Sequence, residues 1–96
     1  MIPAGTETLR AFVPAKDFEL CKRFYETLGF EKLLDGEIAI FAIGAQSFHV
    51  QNFYAKELAE NFVVQLMVDD LDGWWRLRVA FVFDPSGVLW HIAQRR

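Results

Sequence analysis

The first half of the chain combines two hydrophobic periodicities. From residue 17 to residue 29 the apolar side chains recur at helical spacing, with Asp17 placed to cap the start of a helix and Gly29 to end it. The flanking apolar runs are separated by turn signals and predict four strands: residues 8–13, 30–34, 38–43 and 46–51. The first half therefore predicts the order β-α-β-β-β.

The second half begins with the same pattern and then departs from it. Residues 62–68 predict a strand followed by an acidic cap and a second helix, and residues 81–92 predict a β-hairpin turning at Asp84-Pro85-Ser86-Gly87. Between this helix and the hairpin no Gly, Pro, Asn or Ser marks a connection, although connections normally need such residues. We therefore expect one module at about residues 8–53 and a second at about residues 62–94. The second is expected to lack a helix end, a turn and a strand near residues 77–79.

Composition is typical of one small globular domain. The 96 residues are 53% hydrophobic and 16% aromatic, which is enough to pack one core. A net charge of −3 with mixed signs argues against a nucleic-acid partner, which would require a basic surface. The single cysteine, Cys21, excludes a disulfide within the chain. Because no signal peptide or long apolar segment is visible either, we expect a cytoplasmic protein without a membrane partner.

Four short motifs occur in the order found in one known superfamily. They are FVPAKD at residues 12–17, RFYETLGF at residues 23–30, VDDL at residues 68–71 and FDPSGVLW at residues 83–90. With them the chain resembles the vicinal oxygen chelate superfamily, which includes glyoxalase I, extradiol dioxygenases, and the fosfomycin and bleomycin resistance proteins. The resemblance implies an α+β fold in which tandem βαβββ modules form a curved, cup-shaped mixed sheet with helices on its convex side. It also implies a homodimer.

The resemblance further implies where a metal would bind. Metal-dependent members take their ligands from the inner faces of four strands, and spacing from the motifs carries these positions onto Arg10, His49, Val63 and His91. Arg10 is a permanent cation and Val63 has no donor atom. Only two imidazoles remain, fewer than the three ligands that such chemistry normally needs. We therefore expect no metal cofactor, with a divalent metal bound by His49 and His91 as the alternative.

Strand periodicity gives an independent interpretation of the same positions, because side chains two residues apart share one face of a strand. One predicted face is wholly apolar and is expected to pack against the helices: Leu9, Ala11, Val13, Val64, Leu66, Val68, Trp90 and Ile92. The other face mixes apolar with hydrogen-bonding side chains, as small-molecule pockets do. It holds Arg10, Phe12, Ser47, His49, Gln51, Val63, Gln65, Met67, Leu89, His91 and Ala93.

From this second face we predict a ligand-binding cup. Its proposed contact residues are Arg10, Phe12, His49, Gln51, Gln65, Met67 and His91. Aromatic surface for the ligand would come from Phe12, Phe41, Trp74 or Trp75. Arg10 favours an anionic or carbonyl-bearing ligand. Structural alternatives stay open at this point: each histidine could bond a backbone carbonyl, and Arg10 could pair with a carboxylate.

The predicted function is a small-molecule-binding protein of the glyoxalase and bleomycin-resistance type that works without a metal. One alternative is a metal-dependent lyase or dioxygenase of the same superfamily. Another is a structural or regulatory dimer without catalytic activity. No residue is assigned a catalytic role, because the sequence contains no recognisable nucleophile loop or phosphate-binding loop.

Overall fold

Two β-sheets, one from each half of the chain, form the framework of the molecule, which a computed structural model describes over residues 2–76 and 81–94. The elements are β1 (Phe12–Pro14), α1 (Phe18–Leu28), β2 (Glu31–Asp35), β3 (Ile38–Ile43), β4 (Gln46–Gln51), α2 (Lys56–Glu60), β5 (Val63–Val68), α3 (Leu71–Arg76), β6 (Phe81–Phe83) and β7 (Leu89–Gln94). The first sheet has the strand order β1-β4-β3-β2, and the second has the order β5-β7-β6. The predicted α+β fold is confirmed. Its parallel and antiparallel strand pairs are divided between two sheets.

The two sheets repeat one pairing scheme. In the first, β4 lies between a parallel β1 and an antiparallel β3; in the second, β7 lies between a parallel β5 and an antiparallel β6. Within the described residues β2 has no counterpart in the second sheet, and α3 has 6 residues where α1 has 11. The segment that the sequence predicts to be missing near residues 77–79 lies outside the described part of the chain, directly after the last described residue of α3.

Helix α1 forms where its capping residues predict it. The Asp17 carboxylate accepts a hydrogen bond from the backbone N–H of Leu20 at 3.1 Å, and Gly29 ends the helix at a φ of 110°, which favours glycine. The buried Lys22 ammonium pairs with Asp35 at 2.7 Å and so attaches the helix to β2. No helix in residues 2–76 or 81–94 is long and apolar enough to cross a bilayer.

The predicted first strand is wrong over most of its length. It was expected at residues 8–13, but β1 contains only Phe12–Pro14. Leu9 and Ala11, which were expected to pack beneath a helix, are exposed, Leu9 to 93%. Alternating apolar residues form a strand only where neighbouring elements pair with the backbone and cover the apolar face, and the described residues supply no such cover for Leu9.

The hairpin of the second module is confirmed. Its turn is closed by Asp84, whose Oδ1 accepts hydrogen bonds from the backbone N–H groups of Ser86 at 2.8 Å and Val88 at 3.0 Å. Gly87 has a φ of 94°, which most other residues avoid. Asp84, Ser86 and Val88 are buried, so these bonds satisfy polar groups that are largely closed off from water.

An aromatic cluster joins the two modules. Its rings belong to α1, to both sheets and to the loop before β2, and neighbouring centroids lie 5.1 to 6.1 Å apart. All five side chains are at most 9% exposed: Tyr25, Phe30, Phe41, Phe48 and Trp90. Aromatic pairs at such distances stabilise a fold beyond the area that they bury.

Candidate ligand-binding cleft

A cleft of about 520 Å³ opens between the first sheet and strand β5. Its floor consists of the buried side chains of Val13, Phe30, Phe48 and Trp90. Half-buried Val64 and Leu66 line one wall, and a rim of more exposed residues surrounds the mouth: Ala11, Ile43, Gln46, Ser47, Gln65 and Met67. This volume and this mixture of apolar walls with a few polar groups are typical of small-molecule sites.

The cleft exists because the two sheets end where they meet. Strand β1 is the last strand of the first sheet and β5 is the last strand of the second, and in the described residues neither pairs with the other. Strand β1 begins only at Phe12, although the Ala11 carbonyl still accepts a hydrogen bond from the His49 backbone N–H of β4 at 2.8 Å, and no backbone ladder among the described residues closes the gap beside β5. Side chains that the sequence assigns to opposite faces of the strands therefore line a single cavity.

The floor of the cleft is part of the aromatic cluster. The Phe30 and Phe48 rings meet edge to face at 5.3 Å, and Trp90 contacts Phe30 at 5.3 Å and Phe48 at 5.2 Å. Each ring holds the other two in position, so a ligand would meet a preformed apolar surface.

The polar rim is concentrated around Ser47. The Arg10 guanidinium donates a hydrogen bond from Nε to the Ser47 hydroxyl oxygen at 2.7 Å, which places a positive charge beside the cleft. Among the described residues Arg10 forms no ion pair, so its predicted alternative, a carboxylate partner, is not observed there. Ser47 and His49 form no hydrogen bond with each other in this part of the chain, and hence no nucleophile and base are aligned.

His49 lies next to this rim on the same face of β4. Its ring stacks on Phe12 with centroids 4.2 Å apart and planes 3° from parallel. Its Nδ1 is closed off from solvent and has no hydrogen-bond partner among the described residues, so the predicted bond to a backbone carbonyl is not observed. Burial, and to a lesser extent the charge of Arg10, lowers the pKa of His49, because both disfavour the imidazolium form.

His91 occupies the position in β7 that His49 occupies in β4. His49 pairs in register with Phe12 of β1, and His91 pairs with Gln65 of β5. The His91 Nδ1 lies 3.3 Å from the Gln65 amide nitrogen, and the ring stacks on Phe81 at 5.2 Å. The module repeat therefore gives each half of the molecule one stacked histidine beside its parallel strand pair.

The predicted contact residues do not all meet at the cleft. Gln65 and Met67 line it, Arg10 reaches it through Ser47, and His91 contacts it through Gln65. Gln51 lies at the other end of β4, opposite Pro14 and Ile38, and is not among the lining residues.

Other assignments made from the sequence need correction. Phe41 is fully buried in the aromatic cluster and offers no surface to a ligand. Trp74 borders a separate hollow of about 40 Å³, and the side chain of Trp75 lies outside the described part of the chain. Sequence reasoning missed the lining role of Gln46, Phe30 and Phe48, and strand parity assigned two further lining residues, Leu66 and Trp90, to the core.

The two histidines do not fit a metal site. The described residues contain no group of three His, Cys, Asp or Glu side chains that could hold a metal ion together. The His49 Nδ1 is inaccessible to solvent, and the nearby positive charge of Arg10 would also repel a cation. The His91 Nδ1 faces the Gln65 amide. Two imidazoles in separate sheets, one of them next to a cation, do not form the three-ligand set that divalent metals require.

Comparison with known proteins gives matches among solved structures. The chain superposes on the bleomycin-binding protein of bleomycin-producing Streptomyces verticillus, complexed with copper(II)-bleomycin, with a TM-score of 0.79, 18% identity and 100% coverage of both chains. An antibiotic-binding protein from a Streptomyces species matches with a TM-score of 0.77, 21% identity, and coverage of 98% of this chain and 100% of that one. Lactoylglutathione lyase from Agrobacterium tumefaciens matches with a TM-score of 0.70, 15% identity, and coverage of 94% and 95% respectively.

Sequence comparison adds no closer relative: no protein-family model matches the chain, and no curated protein does. The structural matches run along nearly the whole chain and include both binding proteins and an enzyme. At this level of identity the likeness defines the fold, and function has to be argued from the site.

Proposed function

We propose that this chain, which has the fold of the vicinal oxygen chelate superfamily, is a small-molecule-binding protein of the glyoxalase and bleomycin-resistance type that works without a metal. Structural neighbours named as bleomycin-binding and antibiotic-binding proteins support small-molecule binding. The donor set supports the same conclusion, since the described residues hold neither a three-ligand metal group nor an aligned nucleophile and base.

The cleft between β5 and the first sheet is the observation that carries the proposal. Its floor offers the edges and faces of three mutually inclined aromatic rings to an apolar ligand, and Gln46, Ser47 and Gln65 supply hydrogen-bonding groups on the rim. Burying a ring against this floor would gain roughly 25 cal/mol for each Å² of apolar surface removed from water. The rim groups would then fix the orientation of the ligand.

Isothermal titration calorimetry tests the proposal with bleomycin and with a panel of planar aromatic acids, amides and amines. We expect at least one of these compounds to bind with one site per chain. The variant Ala11→Trp places a large side chain on the exposed rim and should abolish that binding without disturbing the core. Leu9→Trp is the matched control, because Leu9 is exposed nearby but does not line the cleft. The proposal fails if no compound binds, or if Ala11→Trp binds as well as the unmodified chain.

We also propose that the protein is a homodimer. One face of the second sheet exposes a row of apolar side chains, among them Phe81 at 64%, Phe83 at 63%, Val63 and Met67. Exposed apolar surface marks interaction sites in soluble proteins, and here the strand register places Gln65 and His91 among the apolar side chains of this face. Strand β6 is also the outer strand of its sheet in the described residues, and an open strand edge favours association with another copy.

Light scattering coupled to gel filtration measures the mass directly. We expect twice the chain mass at micromolar concentration and the monomer mass for the double variant Phe81→Lys/Phe83→Lys. Leu33→Lys, on the equally exposed β2 of the other sheet, is the control and should remain dimeric. A monomeric unmodified chain across the concentration range would refute the dimer.

We also propose that the protein is cytoplasmic and has neither nucleic-acid nor membrane partners. The net charge of −3 supports the lack of a nucleic-acid partner, and the single buried Cys21 is compatible with a reducing compartment. Fractionation of cells that express the protein, with assay of soluble and membrane fractions, tests this location.

A further inference from the structure

We propose that the cleft selects planar aromatic ligands that carry a carboxylate or another single negative charge, and that Arg10 is the residue that sets this selectivity. The inference rests on the proposed function, because it assigns a ligand class to the same cleft. It goes beyond that function by distinguishing anionic from neutral ligands of the same shape.

Arg10 is positioned to act as an anchor. Its Nε–H is bonded to the Ser47 hydroxyl, and Ser47 itself lines the cleft, so the guanidinium is held at the rim. Its terminal NH₂ groups form no hydrogen bond with the described residues, and no described carboxylate neutralises its charge. A guanidinium in this state presents donors in the planar geometry that a carboxylate accepts.

The residues around Arg10 supply few other charges that could compete for an anionic ligand. The described residues that line the cleft include no Asp, Glu, Lys or Arg, and the Arg10 guanidinium contacts this lining through its bond to Ser47. Burial and the charge of Arg10 lower the pKa of the neighbouring His49, which therefore adds no second positive charge at neutral pH. Arg10 is exposed, so water and salt partly screen its charge, but the apolar lining beside it offers no competing charged partner.

A pair of isosteric probes separates charge from shape. The compounds are 1-naphthaleneacetate and 1-naphthaleneacetamide, which share the ring system and differ in the charge of one group. Calorimetry at low and at high sodium chloride should show the carboxylate binding about tenfold more tightly at low salt, the effect expected of one charge-assisted contact. Added salt should reduce that ratio, because it screens an exposed cation.

Two variants that remove one positive charge each then locate the effect. Arg10→Gln should bring the two affinities together, mainly by weakening the carboxylate. Arg23→Gln, an exposed residue on α1, should leave the ratio unchanged. If both probes bind the unmodified chain with equal affinity, or if Arg10→Gln keeps the preference, the inference is refuted while the proposed function stands. If neither probe binds and the wider panel also fails, the proposed function is refuted as well.

Discussion

The hydroxyl of Tyr25, on helix α1 of the first module, donates a 2.5 Å hydrogen bond to Oδ2 of Asp84 in the hairpin turn of the second module. The indole N–H of Trp90 donates to the same hydroxyl oxygen at 3.0 Å. All three side chains are buried. Burial, and then the nearby carboxylate of Asp84, raises the pKa of Tyr25, so the hydroxyl keeps its proton and remains a donor. The bond is therefore a fixed link between the modules.

Removing this hydroxyl should destabilise the protein strongly. The variant Tyr25→Phe leaves Oδ2 of Asp84 and the indole N–H of Trp90 buried without their partner. A buried polar group without a partner destabilises the folded state by its uncompensated dehydration free energy. We therefore expect the free energy of unfolding to fall by about 3 kcal/mol. Urea denaturation measures the change. Tyr54→Phe, at a half-buried tyrosine whose hydroxyl has no partner in the described residues, is the control and should cost far less.

Acid should destabilise the fold in part through His49. Its pKa is lowered in the folded state, so the unfolded chain binds the proton more readily. The stabilising contribution is therefore complete above the ordinary histidine pKa of about 6.5 and is lost as the pH falls through that value toward the lower folded pKa. Urea denaturation between pH 8 and pH 5 should show a smaller decline for His49→Gln than for the unmodified chain. His91→Gln controls for the removal of a histidine, and a decline as steep in His49→Gln as in the unmodified chain would contradict the assignment.

Cys21 should be unreactive in the native protein. It is fully buried against Ser86, whose hydroxyl oxygen lies 3.2 Å from Sγ, and burial raises the pKa of the thiol. Ellman's reagent should therefore modify it only as fast as the chain unfolds, and at once in concentrated guanidinium chloride. Rapid labelling of the native state would show that this part of the core opens readily.

Chelation should leave the protein unchanged. The histidine positions do not provide a three-ligand set, so dialysis against EDTA is expected to alter neither the melting temperature nor the affinity for the aromatic probes. Elemental analysis of the purified protein is the direct check. Metal present in a one-to-one ratio, and lost in His91→Ala, would instead favour the metal-dependent alternative.

Elements whose signals are local were predicted closely. The limits of β3 and β4 agree with the sequence to the residue, and α1 lies between the predicted cap at Asp17 and the predicted stop at Gly29. The turn at Asp84-Pro85-Ser86-Gly87 was likewise predicted, and the structure shows the Asp84 carboxylate closing it. In each case the information is contained in a few neighbouring residues: a capping side chain, a glycine with positive φ, or an alternation of apolar positions.

The cleft could not be predicted in the same way, because it depends on two strands far apart in the sequence. Alternation assigned Ser47 and Gln65 to one face and Trp90 to the other, but it does not show that side chains from both faces line one gap between β1 and β5. The prediction that Leu9 is buried failed for the same reason. Its alternation predicted burial, and only the tertiary arrangement decides whether an element lies over it.

The bond between Tyr25 and Asp84 has a consequence for dividing the chain. Cleavage in the connector before α2 would produce two peptides, one with Tyr25 and the other with Asp84, whose side chains are both buried in the intact protein. Neither peptide alone could complete the aromatic core that the two halves share. Each peptide should therefore be unstructured by itself, and mixing the two should restore native circular dichroism. Peptides made with Tyr25→Phe should recombine more weakly, which would make the bond a measurable term in fragment complementation.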